Sequence, residues 1–274
     1  MAAVKNINFE QYLRQDYRGL QWCPGCGDGA FLQAFLRAVH ELGISQDDMA
    51  VVSGIGCSGR ISGYIDFNTM HTTHGRAISF ATGIKLARPD KYVVVFGGDG
   101  DQTAIGGNHF IHACRRNIDL TICVINNNVY GMTGGQYSPT TPSDMKTQTT
   151  PYGNYDNQFD VVNLAIGAGA TYVARESVWK PVALARFFKK GLQHKGVSVI
   201  EIISNCHINL GRRNNMKSPH AVLDWIKGKT VTLEKAKTMS EEELTDKILV
   251  GEFVEKDKPE FTEQYYKLVE SLKK

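Results

Sequence analysis

Short apolar runs divide the chain. Met49–Ser53, Tyr92–Phe96, Leu120–Ile125 and Val197–Ile203 show no regular polar alternation. A strand with one wet face alternates, whereas a parallel strand covered on both faces does not, so these runs predict buried parallel strands. Helical patterns lie between them. In Ala30–Leu42, Phe31, Phe35, Ala38 and Leu42 form one stripe and Gly43 marks the end. Ala77–Leu86, with small residues at Ala81 and Gly83, predicts a helix packed close to the sheet and stopped by Pro89. A helix-like segment follows Gly100, and Phe159–Gly167 and Val178–Leu192 predict helices around a strand at Thr171–Ala174. The alternation predicts an α/β fold, a mostly parallel sheet flanked by helices. Four of its turns are rich in glycine or polar residues: Gly54–Arg60, Gly97–Gly100, Asn126–Asn128 and Ser204–His207. Ligands of such sheets bind beyond the carboxyl ends of the strands, where these turns lie.

Length and composition narrow the class. With 274 residues, 42% apolar and 22% charged, the chain can bury a core. A net charge of +3 argues for neither nucleic acid nor membrane surface as a partner. The start, MAAVKNINFEQYLRQ, has no apolar signal core. A cytoplasmic location is the expectation, where thiols stay reduced. After Met132 the chain turns into a long Pro- and Gly-punctuated polar loop, expected to act as a lid or a docking element. From Gly211 onward it becomes Lys- and Glu-rich. We therefore divide it into a domain over 1–211 and an arm over 212–274, packed on the core or a partner, with Glu263–Leu272 its best helical stretch.

The turns carry the chemistry. Asp99 offers a carboxylate, Asn127 an amide oxygen and Val129 a backbone carbonyl, three of the hard oxygens that Mg²⁺ takes alongside phosphate oxygens and water. Gly54–Gly59 satisfies G-x-G-x-x-G, but neither a clean helix start nor an acidic residue follows at the distance a nicotinamide site needs. His71 and His74 lack a further metal partner; an imidazole donating to phosphate or an anionic substrate fits better. Cys114, in a helix, and Cys123, in a strand, predict core residues. Cys23, Cys26, Cys57 and Cys206 all sit in turns, and four such thiolates suit either zinc or a [4Fe–4S] cluster.

Gly98-Asp99-Gly100 followed after 25 residues by Asn126-Asn127 resembles the thiamine-diphosphate/metal motif. With WCPGCG, GIGCSGR, HTTHGRA, GGDGD and NNNVYGMTGGQ in order, residues 20–210 resemble the β subunit of the 2-oxoacid:ferredoxin oxidoreductases, most closely the 2-oxoglutarate branch. The resemblance implies a thiamine-diphosphate-binding fold and an enzyme that turns a 2-oxoacid and coenzyme A into acyl-CoA and CO₂, passing electrons to ferredoxin and able to run in reverse. It implies thiamine diphosphate held by Ile55, Gly56, Cys57, Ser58, His74, Gly100, Asp101, Gly131 and Met132, with Mg²⁺ on Asp99, Asn127 and Val129. It also implies a [4Fe–4S] cluster on Cys23, Cys26, Cys57 and Cys206, and Arg60 near the substrate carboxylate. Thiamine chemistry needs an activating glutamate, and residues 1–150 contain only Glu10 and Glu41, both away from the motifs. An α subunit is expected to provide it, in an (αβ)₂ assembly, leaving the isolated chain inactive. A pyruvate or broad-specificity enzyme, a non-redox thiamine enzyme fragment, a non-catalytic iron–sulfur electron-transfer module and a zinc-stabilised binding protein are the alternatives.

Overall fold

Along the central strands, side chains point alternately into two apolar layers, which is why the runs carry no polar period. The computed structural model describes residues 7–15 and 19–273. In chain order the strands are β1 (Met49–Ser53), β2 (Asn68–His71), β3 (Tyr92–Gly98), β4 (Thr121–Asn126), β5 (Val129–Tyr130) and β6 (Gln136–Tyr137). They continue with β7 (Tyr172–Ser177), β8 (Ser198–Ile203), β9 (Thr230–Thr232) and β10 (Ile248–Glu255). The helices are α1 (Asp28–Leu42), α2 (Ala77–Ala87), α3 (Gly107–Arg116), α4 (Val161–Gly167) and α5 (Pro181–Gln193). Beyond them come α6 (Pro219–Lys229), α7 (Leu233–Ala236), α8 (Glu241–Leu244) and α9 (Phe261–Leu272). On one face of the sheet Val94, Phe96, Cys123, Ile125, Ile200 and Ile202 pack against α1 and α5. On the other, Val93, Val95, Ile122, Val124 and Val199 pack against α2, α3 and α4. Cys114 and Cys123 are fully buried in these layers, as expected of core cysteines.

The sheet order is β2-β1-β3-β4-β8-β7-β10-β9. From β2 to β7 every neighbouring pair is parallel. The arm enters this sheet rather than lying over it: β10 pairs antiparallel with β7, and β9 parallel with β10. Its last helix, α9, spans the stretch expected to be helical and begins two residues earlier. Some boundaries differ from expectation for local reasons. Val178 still donates to the Ile203 carbonyl, so α5 starts only at Pro181, whose missing N–H suits a first helical position. The Asp160 side chain caps α4 by accepting from the Val162 and Asn163 N–H groups, which leaves Phe159 outside. A π-type turn over Gly100–Ile105 precedes α3. The short edge strand β2 is mostly exposed, so no apolar run announced it. Among the described residues, no helix is long and apolar enough to cross a membrane.

Candidate active site

β1, β3, β4 and β8 are neighbours, so the turns that follow them share one rim of the sheet. At about 4.8 Å per strand the four span about 14 Å. Between them lies a cavity of about 130 Å³. Ile55, Gly56, Cys57, Ser58, His74, Gly100, Asp101, Gly131 and Met132 all line it, and so do Asp99, Asn127 and Val129. The ring of Tyr130, which the sequence did not single out, completes the wall, its hydroxyl 3.3 Å from the Gly100 carbonyl. Among the described residues, no glutamate lines the cavity; Glu41 is spent in surface ion pairs with Arg37 and Lys189.

Asp101 holds this wall together. Its Oδ1 accepts the Ile55 N–H at 3.1 Å, the Gly75 N–H at 2.8 Å and lies 2.6 Å from His74 Nδ1. One carboxylate thereby joins the turn after β1, the segment after β2 and the turn after β3. A Cβ on Gly54 would stand 1.8 Å from Asp101 Oδ2, so only glycine lets the two turns approach this closely. With Nδ1 tied to Asp101, His74 has Nε2 left for a ligand and can donate through it only as an imidazolium.

Asp99 is 2% exposed. Burial pushes its carboxyl up to about 6, against the pull of the Ser138 and Thr140 hydroxyls, which favour the ionised form. Both hydroxyls reach Oδ2 at 2.5 Å, and among the described residues no side chain donates to Oδ1. They belong to the loop after β6 that the sequence marked only as a lid or docking element. Ser138, Thr140, Thr141, Thr147 and Asn154 are buried, and Ser138 and Thr140 brace Asp99 from behind the cavity without lining it. Thr141 donates to the Asn128 carbonyl at 2.6 Å and Asn154 to the Thr141 carbonyl at 2.8 Å. Asn128 turns the chain through a left-handed φ of 63°, a conformation asparagine tolerates. The hydroxyl-rich Ser138-Pro139-Thr140-Thr141 was the available signal, though nothing in it points to Asp99.

The four turn cysteines gather beside this cavity. A Cβ on Gly131 would sit 3.4 Å from Cys57 Sγ and 3.6 Å from Cys206 Sγ, so both thiols face the same glycine. Trp22 Nε1 donates to the Cys57 carbonyl at 2.7 Å, and Asn205 Nδ2 to the Gly25 carbonyl at 2.9 Å, which docks the Cys23–Cys26 turn against the other two. Burial pushes the Cys57 thiol up to about 12, with the nearness of Asp28, Cys206 and Cys23 adding to it. Burial also raises Cys26 and Cys206. Among the described residues, no three His, Cys, Asp or Glu side chains close on a single metal-ion position. Arg60 is not in the cavity wall. It lies in the turn Ser58–Gly63 behind Cys57, its Nε buried and unpaired, near His71, whose pKa burial and then the Arg60 charge lower.

Known proteins resemble this chain. Residues 54–202 match the family described as thiamine pyrophosphate enzyme, C-terminal TPP binding domain. The chain is 56% identical to the 2-oxoglutarate synthase subunit KorB of Methanocaldococcus jannaschii, over 96% of this chain and 97% of that one. It is 46% identical to the 2-oxoacid:ferredoxin oxidoreductase subunit beta of Saccharolobus solfataricus, over 68% of this chain and 61% of that one. The structure superposes with a TM-score of 0.87 and 34% identity on 2-oxoglutarate:ferredoxin oxidoreductase from Magnetococcus marinus, solved with 2-oxoglutarate, coenzyme A and succinyl-CoA, over 99% of this chain and 92% of that one. A cavity at the rim of a parallel sheet, with thiols beside it, is thus set in a chain that belongs to the β subunits of the 2-oxoacid:ferredoxin oxidoreductases.

Proposed function

We propose that this β subunit serves a 2-oxoglutarate:ferredoxin oxidoreductase, holding thiamine diphosphate through Mg²⁺ on Asp99, Asn127 and the Val129 carbonyl, and a [4Fe–4S] cluster on Cys23, Cys26, Cys57 and Cys206. The observation that carries it is one cavity whose wall joins the oxygen donors to Cys57, with Cys206 beside it across Gly131. In chemical type, hard oxygens for Mg²⁺ and thiols for iron, the donors suit the groups. Asp99 is a buried carboxylate with Oδ1 outside its hydroxyl contacts, and a buried anion of this kind gains most from a cation. The half-buried thiols of Cys26, Cys57 and Cys206 resist ionising alone, and thiols release their protons when a metal takes them. When bound, thiamine diphosphate supplies the nucleophilic carbon and the cluster one-electron transfer. The chain's own part is to orient and exclude. Asp101 fixes the turns at Ile55 and Gly75, His74 presents Nε2, and the loop at Ser138–Thr141 closes Asp99 from water. Arg60, outside the cavity wall in the turn that follows Cys57, is the cation assigned to a substrate carboxylate.

An α subunit in an (αβ)₂ assembly, providing the glutamate that this cavity lacks, completes the proposal, with ferredoxin and coenzyme A as further partners and the cytoplasm as location. The test is co-purification with the α subunit. The expected product contains iron and thiamine diphosphate, absorbs broadly near 400 nm and reduces an acceptor with 2-oxoglutarate and coenzyme A, whereas the single chain does not turn over. A colourless complex holding zinc, or turnover by the chain alone, would overturn the reading. Faster turnover with pyruvate would keep the cofactors and move the substrate.

A further inference from the structure

Two charges lie in the middle of buried strands. Arg175 and Glu201 are paired in register on β7 and β8, at 6% and 2% exposure. Arg175 Nε donates to Glu201 Oε2 at 2.6 Å, its Nη2 to Asp160, and its Nη1 to the Leu249 carbonyl at 3.2 Å. A buried ion pair adds little stability over apolar residues of similar size, so stability alone does not account for it. The other carboxylate oxygen, Glu201 Oε1, accepts from Asn126 Nδ2 at 2.7 Å. That bond fixes the Asn126 amide with its oxygen towards the site. Asn126 Oδ1 accepts from Asn128 N at 3.2 Å and Nδ2 at 2.9 Å, and Asn128 Nδ2 also donates to the Thr140 carbonyl at 2.7 Å. Thr140 Oγ1 lies 2.8 Å from Asn126 Oδ1 and 2.5 Å from Asp99 Oδ2. One hydroxyl proton faces two acceptors. The carboxylate is the stronger, so Thr140 donates to Asp99 while Asn128 satisfies Asn126.

We propose that Asn126, locked by the Arg175–Glu201 pair, is a positioning residue for Asp99. It holds Asn128 and Thr140 so that Asp99 Oδ2 is pinned and Oδ1 is presented to the cation. This inference rests on the metal reading above, in which Asn127 and not its neighbour Asn126 is the ligand. It assigns a role to residues outside the coenzyme cavity, since Asn126, Glu201 and Arg175 do not line it.

The experiment titrates Mn²⁺ by electron paramagnetic resonance into the metal-free αβ complex containing thiamine diphosphate, alongside its thermal unfolding midpoint. Loss of one charge-assisted hydrogen bond corresponds to a weakening of about tenfold or somewhat more. Asn126→Leu and Thr140→Val should each weaken Mn²⁺ by about that factor, Thr140→Ser should restore it, and the double variant should be no worse than Thr140→Val alone. Asn126→Ser, smaller and unable to bridge Glu201 and Asn128 together, stands in if the leucine variant does not assemble. Unchanged Mn²⁺ affinity in the Asn126 variant, or losses that multiply in the double variant, would overturn the inference. Asp99→Asn separates the two readings: if it binds Mn²⁺ as tightly as the wild type, the metal site itself is wrong.

Discussion

Replacing Asp101 with alanine removes the acceptor that three parts of the chain share. Its Oδ1 takes the N–H groups of Ile55 and Gly75 and the imidazole of His74. His74 can turn to water, so its loss costs little. A buried backbone N–H without a partner costs about 1–3 kcal/mol; with the Gly75 N–H buried and the Ile55 N–H only partly so, the two together give about 2–5 kcal/mol in Asp101→Ala. Against a typical total of about 5–15 kcal/mol this is a large fraction. Asp101→Asn keeps an oxygen acceptor but loses the charge, so about half the effect is expected. The assay is chemical denaturation of the assembled protein combined with amide hydrogen exchange on peptides covering Ile55 and Gly75. Exchange at both should accelerate by at least about thirtyfold in the alanine variant, since each 1.4 kcal/mol is about a factor of ten. If stability stays within about 0.5 kcal/mol and both amides remain protected, Asp101 does not hold the pocket wall.

Three further outcomes are expected. Burial raises the Asp99 carboxyl to about 6, so at the proposed metal site protons would compete with the cation. Cation binding should be full above that pH and about tenfold weaker at pH 5 than at pH 7, a dependence measured by Mn²⁺ titration and absent from Asp99→Asn. Cys57→Ala and Cys206→Ala should each lower the iron content and bleach the absorbance near 400 nm. Cys114→Ala, a core change worth about 1 kcal/mol, should keep both, and equal iron in all three would remove the cluster assignment. Arg60→Ala should raise the Michaelis constant for 2-oxoglutarate by about tenfold or more through loss of a charge-assisted contact, leaving thiamine diphosphate retention unchanged. An unaltered constant would end its role in substrate binding.

The central sheet was legible because both faces are covered. Val94 and Val95 fall into opposite apolar layers, and that leaves a mark in the sequence. The glycine turns were legible for a related reason: Gly54 is fixed by the approach of Asp101. What escaped depends on contacts between distant segments. Ser138 and Thr140 look like ordinary loop residues until the fold brings them to Asp99. Arg175, just beyond the strand expected at Thr171–Ala174, and Glu201, inside an apolar run, were not singled out; only the register of β7 against β8 makes them partners. β10 is half-exposed along most of its length and interrupted by Gly251 at φ 145°, so neither a buried run nor a regular alternation marked it.

That last strand has a consequence for engineering. Without residues 212–274, the fully buried β7 would become the sheet's margin, offering an open row of peptide groups to any other extended chain. In the intact protein the margins are instead β2 and β9, of four and three residues, too short to template much pairing. A truncated version should therefore aggregate even where its coenzyme pocket survives, and the tail's first duty is to keep the sheet from growing.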